Sequence, residues 1–144
     1  MYDIIRDLTE IARVGTQYKI DNFAAYGLKA CHASYLMEIC SCPGISQDKL
    51  AQRICINKSN VARQAAALEE DGYIRRSPSQ TDKRVMELYP TEKAIAVLPE
   101  ILQILKNWEN LLMEDLTPEE IDLAGKVLLR MQNKAAQWMD ENNK

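Results

Sequence analysis

Two groups of side chains in this chain are of the types that bind polyanions and read polar edges. Lys58, Ser59, Asn60, Arg63 and Gln64 lie close together, and Arg75, Arg76, Lys83 and Arg84 flank a polar stretch further on. Arginine can give guanine two hydrogen bonds, asparagine or glutamine can pair likewise with adenine, and lysine or arginine neutralises phosphate. Other chemistry is poorly represented. There is no nucleophile–base arrangement and no phosphate-binding glycine loop, and the chain has one histidine, His32. Catalysis is therefore not expected, and neither a metal nor another cofactor is called for. The four cysteines, Cys31, Cys40, Cys42 and Cys55, lack paired CxxC spacing. They read as reduced thiols, with a redox role for Cys55 as an alternative, because activating a thiolate needs a nearby cation and Arg53 is close in sequence.

These side chains must be held by helices and a hairpin. Apolar residues at three- and four-residue steps predict an opening helix from about Asp3 to Lys19, broken at Asp21-Asn22, and a second from about Lys29 to Cys40, stopped by Pro43-Gly44. Ser46 is placed to cap a short helix that buries Leu50, Ala51 and Ile54. After the tight Cys55-Ile56 connection, Asn57 caps a longer helix, Lys58 to about Asp71, with Val61, Ala65 and Leu68 inward and Gly72 at its end. The period then changes: Tyr73–Arg76 and Val85–Tyr89 read as two strands joined by a turn over Ser77–Asp82. Thr91 opens a helix that contains Pro99, where a kink is expected. Thr117-Pro118-Glu119-Glu120 opens the last helix as a capping box. In that last helix Ile121, Ala124, Leu128, Met131, Ala135 and Trp138 form a narrow heptad seam, a pattern that calls for a partner helix.

Charge follows the same division. The whole chain of 144 residues carries −3. Residues 1–45 hold four basic and five acidic side chains, residues 46–94 nine and seven, and residues 95–144 five and nine. The net values are −1, +2 and −4. The overall acidity thus does not exclude a nucleic-acid partner, because salt screens distant charge beyond about 8–10 Å and phosphates respond to what is placed near them. A helix pair with a polar-fronted second helix, followed by a basic-tipped hairpin, suits a major groove and a flanking narrow minor groove. No stretch approaches a membrane span and the N-terminus is no signal peptide, so a cytoplasmic protein without membrane association is expected.

At these residues the sequence resembles the multiple antibiotic resistance regulator (MarR) family. The resemblance rests on Gly44–Ala51 before the turn, Asn57–Arg63 opening the second helix and Leu68-Glu69-Glu70-Asp71-Gly72-Tyr73-Ile74. It continues through the wing residues Asp82-Lys83-Arg84 and Leu88-Tyr89-Pro90-Thr91-Glu92-Lys93. It implies a mainly α fold with a small β-hairpin wing: a winged helix-turn-helix with N- and C-terminal dimerisation helices. Residues 1–144 would form a single domain, with dimerisation helices at 1–26 and 95–144 and a DNA-binding lobe at 27–94. The implied function is a transcriptional regulator, a homodimeric repressor on a palindromic double-stranded DNA operator. Ser46, Gln47, Lys58, Ser59, Asn60, Arg63, Gln64, Arg75, Arg76, Lys83 and Arg84 would contact DNA, with Asp82 orienting Arg84.

The resemblance further implies release by a small aromatic effector between the dimer helices and the lobe, where Tyr26, Cys31, His32 and Tyr35 fall. A plainer reading places Tyr35 and Cys31 in the core and His32 on a backbone partner. The peroxide-sensing branch of the family uses a cysteine in the first helix, whereas the first cysteine here is Cys31. A helical protein-interaction module without DNA binding, and a cysteine-based redox repressor, are the competing functions.

Overall fold

Asp3 starts the first helix by accepting the Arg6 backbone N–H on its carboxylate. The helix, α1, runs Ile4–Phe23 in the computed structural model, which describes residues 1–142. It passes the break expected at Asp21-Asn22, because both residues are used within it. Gln17 donates to Asp21 at 2.9 Å and Asn22 to the Tyr18 carbonyl at 2.8 Å. A 3-10 turn, Ala24–Tyr26, follows, and Gly27 at φ 65° closes it in the left-handed region that glycine tolerates. The second helix, α2, spans His32–Ser41, three residues later than expected at its start.

Three elements then follow closely. β1 (Ile45–Ser46) leads straight into α3 (Gln47–Ile54), whose cap is the Ser46 hydroxyl on the Lys49 N–H. Cys55, left-handed at φ 55°, turns the chain, and Asn57 caps α4 (Lys58–Glu70) through the Asn60 N–H. The inward residues of α4 are Val61, Ala65 and Leu68, all buried as their spacing predicts. They meet Leu50, Ala51, Leu36 and Ile39 in one core.

β2 (Ile74–Pro78) and β3 (Met86–Pro90) form the hairpin, and β1 adds a third antiparallel strand in the order β1-β3-β2. That third strand is a correction to the two-stranded expectation: Ile45 faces Leu88 and Ser46 faces Glu87, a pairing too short to leave a period in the sequence. β2 also runs two residues past its predicted end. Pro78, opposite Met86, is tolerated there because β2 is an edge strand. α5 (Glu92–Met113) continues through Pro99 and buries Ala94, Val97 and Ile101.

The chain divides into two units, Met1–Trp108 and a second beginning at Glu109. In the first, Tyr18 stacks on Trp108 at 5.1 Å and donates to the Ile104 carbonyl. In the second, α6 (Pro118–Asn142) opens with the reciprocal bonds of a capping box: Thr117 N–H to Glu120 and Glu120 N–H to the Thr117 hydroxyl. Among the described residues no helix is long and apolar enough to cross a membrane.

Candidate nucleic-acid interface

Burial of Val61, Ala65 and Leu68 on one side of α4 leaves Lys58, Ser59 and Arg63 exposed, with Asn60 and Gln64 half-buried along one flank. Each is held. Lys58 Nζ lies 3.3 Å from Asp48 of α3, an exposed pair worth at most about 1 kcal/mol. The Ser59 hydroxyl donates to the Asn57 side-chain oxygen at 2.9 Å, and Arg63 Nη2 donates to the Asn60 side-chain Oδ1 at 3.1 Å. Arg63 thus reaches outward from a side chain already ordered on its own helix.

Gln64 is engaged through one of its two amide atoms. Its amide oxygen sits 2.9 Å from His32 Nε2, so one of the two atoms that a bidentate adenine contact needs is already engaged. Ser46 and Gln47 are placed by their local surroundings. The Ser46 hydroxyl is occupied as the α3 cap, and the Gln47 side-chain oxygen is buried without a partner.

On the hairpin the four cations separate into different environments. Arg84 is 91% exposed and donates to Asp82 along one edge of its guanidinium, Nε to Oδ1 and Nη2 to Oδ2, each 3.1 Å. Hydrogen bonds from the Arg84 side chain, then from its backbone N–H, hold the Asp82 carboxyl below its usual range. Lys83 is exposed beside it. Arg75 lies over the Tyr89 ring at 4.6 Å. Arg76, alternating to the opposite face, is half-buried against α4. Its backbone N–H donates to Glu69 at 2.7 Å and its Nε at 3.1 Å, and the backbone bond leads in depressing the Glu69 carboxyl. Arg76 therefore ties the wing to α4.

Arg75, Ser77, Glu87 and Tyr89 share the outer face of the ribbon, where a cavity of about 480 Å³ opens. The Tyr89 hydroxyl donates to Glu87 at 2.7 Å, which raises the Tyr89 pKa. Tyr89, Glu87 and Glu69 were not among the expected site residues. Tyr89 and Glu87 could have been found from strand alternation once the register was known; Glu69 carries no local signal, because its partner is in another element.

The residues expected at an effector site are distributed as follows. Tyr26 is half-buried, its carbonyl accepting from the Tyr73 hydroxyl, and a hydrogen bond with Glu100 raises its own pKa. Cys31 is exposed. His32 and Tyr35 are buried with their rings edge to face at 6.2 Å. His32 accepts the Lys29 backbone N–H on Nδ1, which forms the turn that delays the start of α2. The Tyr35 hydroxyl is buried and has no partner. Arg53, expected to activate Cys55, instead pairs with Glu38 at 3.2 Å. Burial pushes the Cys40 thiol up.

The arrangement has known counterparts. Residues 30–86 match the MarR family profile. The HTH-type transcriptional regulator YybA of Bacillus subtilis (strain 168) is 30% identical over 131 residues, covering 91% of this chain and 87% of that protein. The solved transcriptional regulator SlyA superposes with a TM-score of 0.89 at 30% identity, over 96% of this chain and 98% of that one. A MarR family regulator from Listeria monocytogenes, complexed with 26mer DNA, gives 0.91 at 27% identity, over 100% and 98%. With its winged helix-turn-helix and these relatives, the chain belongs to the MarR family of transcriptional regulators, which are not enzymes.

Proposed function

We propose that this chain acts as a homodimeric repressor that reads a palindromic operator with α4 in the major groove and Arg84 in the flanking minor groove. The observation that carries the reading is the outward array of Lys58, Ser59 and Arg63 on a helix whose other side is fully packed, beside an arginine that is both exposed and oriented. Arg63 and Lys58 are direct contacts, with Asn60 ordering Arg63. Ser46 and Arg76 act as positioning residues, and Arg75 and Lys83 supply phosphate neutralisation.

Dimerisation through residues 1–26 and 95–144 is supported by apolar side chains left uncovered in a single copy. On α1 Ile4, Ile5, Ile11 and Val14 are exposed, and on α6 Leu128 and Trp138 of the heptad seam are exposed. A pair of α4 helices about 34–36 Å apart would enter successive major grooves. For release by a small aromatic effector, the buried Tyr35 hydroxyl offers an unused hydrogen-bonding group.

The test is binding to duplexes carrying the palindrome upstream of the chain's own gene, at two salt concentrations, with the oligomeric state followed by sedimentation. Arg63→Ala should cost about 1–3 kcal/mol of specific binding, and Arg84→Ala should weaken binding and reduce the salt slope by about one. Affinity that ignores salt, in a monomer, would leave the winged lobe as a protein-docking module instead.

A further inference from the structure

Both ring nitrogens of His32 are engaged, and they link two elements. The Lys29 backbone N–H donates to Nδ1 at 3.1 Å, and Nε2 faces Gln64 Oε1 at 2.9 Å. A main-chain N–H can only donate, so Nδ1 is the accepting nitrogen of a neutral imidazole and Nε2 carries the hydrogen. Nε2–H then needs an acceptor, and only the carbonyl oxygen of the Gln64 amide accepts. The orientation of that amide follows from the order of donors and acceptors. The Gln64 nitrogen has no hydrogen-bond partner among the described residues. The buried side-chain atoms without partners are the Tyr35 hydroxyl and Gln47 Oε1, so the Gln64 nitrogen reaches solvent.

We propose that His32 is a positioning residue for base selection, holding Gln64 so that α4 presents two N–H donors and no acceptor at this point. The inference rests on the reading in which α4 lies in the major groove. A freely turning glutamine pairs with adenine through both amide atoms. A glutamine held carbonyl-inward keeps only a single bond to adenine N7; it suits guanine best, with acceptors at O6 and N7, and thymine offers one at O4. Cytosine, which presents its own N–H donor, is disfavoured. Protonation of His32 leaves Nε2–H in place, so this preference does not depend on pH. Tyr35 on α2 and Gln64 on α4 contact the ring, and the charges of Lys29 before α2 and Asp71 at the end of α4 act on it.

The experiment measures binding of the full chain to operator duplexes with each base pair replaced in turn, for wild type, Gln64→Ala, Gln64→Glu and His32→Phe. Gln64→Ala identifies the position that Gln64 reads; if it flattens none, Gln64 does not contact DNA and the proposal falls with that contact. At the identified position the wild type should favour guanine or thymine over cytosine by about tenfold. Gln64→Glu, which turns a carboxylate oxygen outward, should reverse this towards cytosine. His32→Phe, which frees the amide to turn, should bring adenine to within about twofold of guanine. A His32→Phe profile identical to wild type would overturn the role of His32 while leaving the Gln64 contact standing. Nitrogen-15 NMR of the wild type should find the Nε2–H tautomer, and the Nδ1–H tautomer would overturn the proposal. Should His32→Phe fail to fold by circular dichroism, the tautomer and the Gln64→Glu reversal decide: a wild-type preference for adenine, or no reversal, rejects it.

Discussion

Asp82 grips Arg84 through three hydrogen bonds, two to the guanidinium and one to the Arg84 backbone N–H, all at 3.1 Å, while the arginine side chain stays 91% exposed. An isolated exposed pair of this kind contributes little to stability. Its consequence is a fixed direction for a long side chain that otherwise loses rotamer entropy on binding.

This fixes the sign of a test. Asp82→Ala removes a negative charge from a surface read as facing phosphates, so on charge alone it should tighten DNA binding. If Asp82 instead orients Arg84, the same change should weaken operator binding by about three- to tenfold with little loss of stability, since about 0.5–1.5 kcal/mol is the usual cost of ordering such a side chain. Titration of the variant against the same duplex, alongside thermal unfolding, separates the two outcomes.

A second prediction concerns His32 and pH. Burial pulls its pKa below the ordinary 6.5, so the fold favours the neutral ring whereas the unfolded chain takes up a proton near 6.5. Between 6.5 and the lower folded value the unfolded state binds more protons, and stability therefore falls as pH falls through that window. Denaturant unfolding at a series of pH values should show this loss in the wild type and a flatter curve in His32→Gln. Parallel curves would contradict the assignment.

The sequence made the helices and their caps legible because their signals are local. Ser46, Asn57 and the Thr117–Glu120 box all cap as their positions predict, and Val61, Ala65 and Leu68 are all buried. What escaped depends on partners distant in the chain. Gln64 looks like a freely turning amide until His32, 32 positions away, takes its oxygen. Arg76 looks like a second wing cation until Glu69 takes its N–H and guanidinium. β1 is two residues long and exists only because β3 passes beside it. Spacing along one segment cannot reveal which of several similar polar side chains will be drawn into a partnership by another.

A third prediction follows from Tyr35. Its hydroxyl is buried without a hydrogen bond, so the fold carries the desolvation cost of a polar group with no compensating contact. Tyr35→Phe removes the group and keeps the ring against His32. Stability should stay level or rise by about 1 kcal/mol. A loss of more than about 1 kcal/mol in denaturant unfolding would mean that a bound water or ligand satisfies the hydroxyl in solution.

The last prediction separates adjacent arginines that sequence treats alike. Strand alternation sends Arg75 to the outer face, over Tyr89, and Arg76 to the opposite face, against Glu69. Arg75 keeps an exposed charge, so Arg75→Ala should weaken DNA binding, lower its salt slope by about one and leave unfolding nearly unchanged. Arg76→Ala keeps the backbone bond to Glu69 but strips the half-buried carboxylate of its cation. It should therefore cost about 1–2 kcal/mol of stability, with the salt slope little altered. Glu69→Gln should show a similar stability loss, and the double variant less than the sum of the two, because both remove the same interaction. Equal salt-slope changes for Arg75→Ala and Arg76→Ala would show that Arg76 leaves Glu69 for phosphate when DNA binds, and that the contact with α4 is exchanged rather than kept.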